Sequence, residues 1–159
     1  MSLEESTRII GRLGKDPEAR YLPNGTAVCN FSVATTRSVS KERSANCPDG
    51  WKESYNKRNW EVTVWWRVTV WGKQAESCNQ YLAKGRLVAV EGEVNGKAVN
   101  GSMYPNVWTG TDGASRANFE MTARQIKFLD RGNGNGHSES VEDEPPPGYV
   151  ETPESGIPF

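Results

Sequence analysis

Residues 60–72, WEVTVWWRVTVWG, carry four tryptophans in thirteen positions, with β-branched or aromatic residues at most of the others and neither Pro nor an interior Gly. That composition predicts a strand rather than a helix. Side chains of a strand alternate between its two faces, so residue parity sorts them. One face holds Trp60, Val62, Val64, Trp66, Val68 and Val70, apolar throughout, and is expected to point to a core. The other holds Glu61, Thr63, Trp65, Arg67, Thr69 and Trp71, in which two large aromatics flank a guanidinium.

Such an outward face implies either that Trp65 and Trp71 pack under a neighbouring sheet or subunit, or that something flat and anionic rests on them. Nucleic-acid bases on a phosphate backbone fit the second case. Each base has a π-face to stack on an indole, worth roughly 1–3 kcal/mol, and Arg67 can meet phosphate or stack as a cation.

The flanking sequence predicts a small all-β barrel. STRIIGRLG, residues 6–14, reads as a strand, and DPEARYLPNG as an irregular corner ending in the Asn24-Gly25 turn signal. From Thr26 to Val39 a second strand sets Ala27, Cys29, Phe31 and Val33 inward. After the Trp-rich strand, KQAESCNQYLAKG spaces Ala75, Cys78, Tyr81 and Leu82 as a short helix, with Gly85 as its expected C-cap. RLVAVEGEV, residues 86–94, is the next strand, with Val88 and Val90 inward and a bulge expected at Gly92. RANFEMTARQIKFL, residues 116–129, is the last. A five- to six-stranded Greek-key barrel with one helix inserted between strands is the OB-fold arrangement.

Two segments lack alternation. Residues 40–58 hold Pro48, Asp49 and Gly50 among Lys41, Arg43, Lys52, Lys57 and Arg58, and read as a long, mobile hairpin loop. Basic residues interleaved there with Trp51 and Tyr55 imply either a solvated loop or a clamp over a nucleic-acid strand. Residues 95–115, rich in Gly and bearing Tyr104 and Trp108, read as a second flexible loop.

Charge divides the chain in two. Residues 1–131 hold all 19 Lys and Arg against 14 Asp and Glu, whereas residues 132–159 hold six acids and no Lys or Arg. The tail, with its GNGNG and PPPG stretches, cannot bury enough apolar surface to offset the entropy of ordering it and is expected to be disordered. It ends Ile157-Pro158-Phe159, and a terminal aromatic carboxylate can serve as a short binding peptide. Cys29, Cys47 and Cys78 are odd in number and lack C-x-x-C spacing, which points away from a disulfide framework or a zinc site. With no N-terminal apolar stretch, the expected compartment is the cytoplasm. The one histidine, His137, falls in the tail, and the carboxylates form no cluster at metal-ligand spacing, so no constellation for catalysis, metal or cofactor is visible.

IIGRLGKDPEARYLPNGTAVCNFSVAT, WWRVTVWGKQAE with YLAKG, VAVEG and the final Ile-Pro-Phe together closely resemble the bacterial single-stranded DNA-binding protein family. The resemblance implies an OB-fold core, assembly usually as a homotetramer or as a dimer of double-OB chains, binding of single-stranded DNA without sequence preference, a role in replication, recombination and repair, and recruitment of partner enzymes through the tail. It implies no catalysis and no cofactor, and nucleoid association. Carried over position by position, it assigns stacking to Trp65, Trp71 and Trp108 and backbone contacts to Arg67, Arg20, Lys73 and Lys84. Phosphate tracking is expected to extend to Arg37, Lys41 and Arg43, and stacking to Trp51 and Tyr55. Three departures stand out: Val39 occupies a position often held by a stacking Trp, the 40–58 loop is long, and Glu151 and Glu154 are separated by neutral residues where relatives run several aspartates.

Other readings remain open from the residues alone. An RNA- or tRNA-binding OB module would use the same aromatics, because stacking does not read the 2′-hydroxyl. A carbohydrate-binding barrel would also expose tryptophans but has no need of Arg67 between them. An apolar surface at Ile9, Val62 and Val64 is expected to support self-association.

Overall fold

The computed structural model describes residues 5–130; the expected tail and its Ile157-Pro158-Phe159 end lie outside the described residues, as does His137. In chain order the elements are β1 (Thr7–Leu13), β2 (Glu18–Tyr21), β3 (Ala27–Ser40), β4 (Lys52–Glu53), β5 (Asn59–Trp71), α1 (Lys73–Tyr81), β6 (Leu87–Val94), β7 (Lys97–Val99), β8 (Ser102–Tyr104), β9 (Val107–Thr109), β10 (Ser115–Ala117) and β11 (Phe119–Phe128).

β5 organises the sheet as its sequence implies. It runs antiparallel to β3 from Val28↔Trp71 to Ser40↔Asn59, and parallel to β11 from Phe119↔Trp66 to Thr122↔Thr69. β1 pairs antiparallel with both β3 and β6, and β6 with β11, so the order β3-β1-β6-β11-β5 closes on itself through β3–β5. This is the five-stranded OB-fold barrel, with α1 inserted before its fourth strand.

The inward residues are those the alternation marks, except Trp60 and Val62, which were expected to point to the core but are half-buried and outside it. Cys29, Phe31 and Val33 of β3, Val68 and Val70 of β5, and Val88 and Val90 of β6 are buried with Leu13 and Met121. Ala75, Cys78 and Leu82 pack into the same core from α1 and its C-cap. Burial of each Val, Leu or Phe of this kind stabilises the fold by about 1.5–3 kcal/mol.

Several expectations are corrected. The helix stops at Tyr81, and Leu82 is already extended while its N–H bonds Cys78 O. Gly85 is therefore not the C-cap. It takes φ +85° in the next turn, where its N–H donates to Leu13 O and ties that turn to the end of β1. The bulge lies not in β6 at Gly92 but opposite it, between Ala123 and Gln125 of β11. Gly92 is glycine because a Cβ there would collide with Thr122 O and lie 3.0 Å from Ala123 Cα.

The 95–115 segment is two hairpins rather than a loop: β7 pairs with β8 and β9 with β10. Asn100 and Gly101 both have positive φ between Val99 and Ser102, the two-residue turn that Asn-Gly favours. The corner before Asn24 contains β2, paired with β3, and the last strand is broken at Asn118 into β10 and β11. Ile9 is 7% exposed and part of the core, and Val64 is 8% exposed, so neither belongs to an open apolar surface.

Two outcomes follow. Gly92→Ala should lower stability by about 1–3 kcal/mol, because the overlap is with backbone of β11, measured as a reduced midpoint in urea unfolding at unchanged slope. Burial pushes the Cys29 and Cys78 thiols up to about 11 and about 12, whereas Cys47 is exposed. A thiol reagent at pH 8 should therefore modify Cys47 alone in the native protein and all three cysteines in denaturant, read by intact mass.

Candidate nucleic-acid interface

The register of β3 against β5 builds the outward face row by row. Trp65 lies opposite Ala34, Arg67 opposite Ser32, Thr69 opposite Asn30 and Trp71 opposite Val28. β2 extends the last row by setting Arg20 beside Val28, and β11 sets Glu120 beside Arg67 and Thr122 beside Thr69. Val28 sits on the outward parity yet is 1% exposed, in the row between Arg20 and Trp71. Trp71 is 37% exposed, whereas Trp65 is half-buried. At about 3.3 Å per residue the two indoles are anchored about 20 Å apart on one strand, with Arg67 between them.

The floor between the indoles is polar and internally bonded. Thr69 Oγ1 donates to Asn30 Oδ1 at 2.9 Å, Thr122 Oγ1 to Asn95 Oδ1 at 3.0 Å, and Asn106 Nδ2 to Glu120 Oε2 at 3.2 Å. Sequence patterning marked β5 and missed these partners. Asn30 and Ser32 do stand on the outward parity of β3, which was the available signal.

Cations reach the face at both ends. Lys73 is exposed and follows Trp71 by two residues, beside the row that holds Arg20. Lys84 is exposed in the turn that Gly85 ties to Leu13, and its backbone N–H donates to Asp16 Oδ1 at 2.8 Å, which brings it to the Trp65 end.

The remaining candidates sit apart. Beyond the barrel, β3 and β5 continue as a two-stranded arm, and Arg37, opposite Val62, has the parity of the core residues rather than that of Trp65. The 40–58 segment folds back on this arm through β4, paired with β5 at Lys52↔Glu61 and Glu53↔Trp60. Lys41 is engaged there, its Nζ 4.3 Å from the Trp60 ring centroid and paired with Glu53. Trp60 Nε1 donates to Ser44 O at 2.9 Å. Buried Ser54 donates to Asn56 Oδ1 at 2.7 Å and accepts the Asn59 N–H, which staples the tip. Trp51 is half-buried, Arg43 is exposed, and Tyr55 is fully exposed at the tip. Trp108 is half-buried on β9 opposite Arg116, which bonds Asp112. Among the described residues no group of three His, Cys, Asp or Glu side chains could hold a metal ion, and no helix is long and apolar enough to cross a membrane.

Residues 5–129 match the model of the single-strand binding protein family. The chain is 39% identical over 130 residues to a protein named single-stranded DNA-binding protein from Neisseria meningitidis serogroup A, an alignment covering 80% of this chain and 60% of that protein, and the serogroup B protein gives the same figures. A Clostridium acetobutylicum protein named single-stranded DNA-binding protein 2 is 37% identical over 127 residues, covering 79% of this chain and 77% of its own length. The chain thus spans about 60% of the length of the two meningococcal relatives.

The arm carries its own pH response. The hydrogen bond from Lys41 holds the Glu53 carboxyl below its ordinary value, so the stabilisation is present above the ordinary carboxylate range and is lost as pH falls through the lowered pKa. Acidification through that range should release Trp60 from its Lys41 contact before the barrel unfolds. Fluorescence of a variant retaining Trp60 as its one tryptophan, compared with far-UV circular dichroism, checks the order.

Proposed function

The chain belongs to the single-strand binding protein family, and on that premise we propose that it binds single-stranded DNA without sequence preference. The observation that carries the reading is the outward face of β5, where Trp71 is exposed, Trp65 half-buried and Arg67 lies between them. Bases stack on Trp65 and Trp71, with Trp108, Trp51 and Tyr55 extending the path. Phosphates meet Arg67, Arg20, Lys73 and Lys84, and farther along the arm Arg37, Lys41 and Arg43. Binding is the whole of the activity, and no chemistry is performed on the strand.

The reading includes a cytoplasmic role at the nucleoid in replication, recombination and repair, with the chain acting as a homotetramer. Residues 1–131 form the binding domain. The acidic segment 132–159 offers Ile157, Pro158 and Phe159 to replication and repair proteins, a division supported by the segregation of charge in the sequence. The names of the relatives favour DNA over RNA. Arg67 between the indoles favours a polyanion over a sugar.

Titration with dye-labelled oligo-dT, oligo-U, a matched duplex and a neutral oligosaccharide at two salt concentrations tests the reading. Oligo-dT is expected to quench tryptophan fluorescence and to bind more weakly as salt rises, with duplex and sugar inert. Trp65→Ala should weaken oligo-dT binding by about 1–3 kcal/mol on every sequence. Arg67→Gln should also reduce the slope of log affinity against log salt by about 0.7. Equal affinity for duplex and single strand would overturn the proposal.

A further inference from the structure

Trp65 is held by a contact that its own strand does not supply. Gly14 follows β1 at the corner leading to β2, and a Cβ added to it would collide with the Trp65 ring at Cζ3, lie 2.8 Å from Cη2 and 3.2 Å from Ser32 Oγ. Carbon atoms in van der Waals contact are about 3.5–4.0 Å apart, so the far edge of the indole rests where even a methyl group has no room.

The corner itself is fixed. Gly14 N–H donates to Ser32 O at 3.1 Å, and the preceding Leu13 donates to Arg86 O at 3.0 Å and accepts from Gly85 at 2.8 Å. Gly14 is not among the residues of positive φ, so backbone conformation does not demand glycine here. Ser32, next to it, is 2% exposed, and its Oγ has no hydrogen-bond partner among the described residues. The position under the indole edge therefore carries no side chain, and the residue beside it, Ser32, carries a small one.

We propose that Gly14 is a positioning residue for stacking on Trp65: the missing side chain lets the indole edge settle on the β1 corner, and that seat sets the tilt at which the ring meets a base. This rests on the proposed binding of single-stranded DNA. The obstacle raised by a methyl group is the end of a side chain that can rotate, so Gly14→Ala is accommodated by turning the ring, at the expense of stacking rather than of the fold.

A double-mutant comparison on the full chain tests this, with affinity read from the anisotropy of dye-labelled oligo-dT and folding from thermal melts. Trp65→Ala and Gly14→Ala should each weaken binding by about tenfold, and Gly14→Ala should cause no further loss in a Trp65→Ala background. In a Trp65→Phe background, where the six-membered ring reaches less far, Gly14→Ala should also be silent. If Trp65→Ala binds like the parent, the stacking reading itself fails. If Trp65→Ala weakens binding but Gly14→Ala does not, or weakens both backgrounds equally, only the positioning role falls. Should Gly14→Ala alone not fold, recovery of the fold by adding Trp65→Phe supports the collision, and persistent unfolding overturns it.

Discussion

Closure of the barrel depends on β5 being hydrogen-bonded on both edges over the same residues. Residues 66–69 pair antiparallel with β3 on one side and parallel with β11 on the other. A parallel pair cannot be joined by a tight turn and needs a long connection, which here consists of α1, β6 and the two small hairpins. With both edges engaged, the strand cannot slip by one residue without carrying Val68 and Val70 to solvent and Arg67 and Thr69 into the core. The same constraint that buries the valines therefore holds Trp65, Arg67 and Trp71 on the outside.

This dependence explains what the sequence made legible. Alternation is a property of one strand, so most inward residues of β3, β5 and β6 could be read directly, and the helix followed from the spacing of Ala75, Cys78, Tyr81 and Leu82, of which Tyr81 is exposed. Features set by a second, distant segment could not. Val28 has outward parity but is buried in its row between Arg20 and Trp71. Gly92 marks a close approach of backbones, yet which strand gains the extra residue is decided by β11. Asn100-Gly101 has the composition of a two-residue hairpin turn, but the three-residue strands around it are too short for alternation to mark them, and the segment read as a loop.

The candidate site was legible to a similar depth. Trp65, Arg67 and Trp71 fall in line because one strand carries them all. Arg20 and Lys84 reach the two ends of that line only through β2 and the turn bonded to Leu13, and it was the resemblance, not periodicity, that singled them out. Arg37 and Lys41 lie farther along the arm, off that line: the first has the opposite parity, and the second pairs with Glu53 and sits over the Trp60 ring.

Net charge is accordingly a poor guide to the potential over the face. Within the barrel and arm, Arg12 pairs with Asp130, Lys15 with Glu18, Lys41 with Glu53 and Arg124 with Glu93. Exposed pairs of this kind add little to stability, but each reduces the field its cation projects. Beside Arg67, the carboxylate of Glu120 is held by Asn106 at the base of the second hairpin. A polyanion approaching β5 therefore meets a guanidinium with an acid alongside it, flanked by aromatic surface. On the proposed reading, stacking on such a face supplies the grip that charge alone does not.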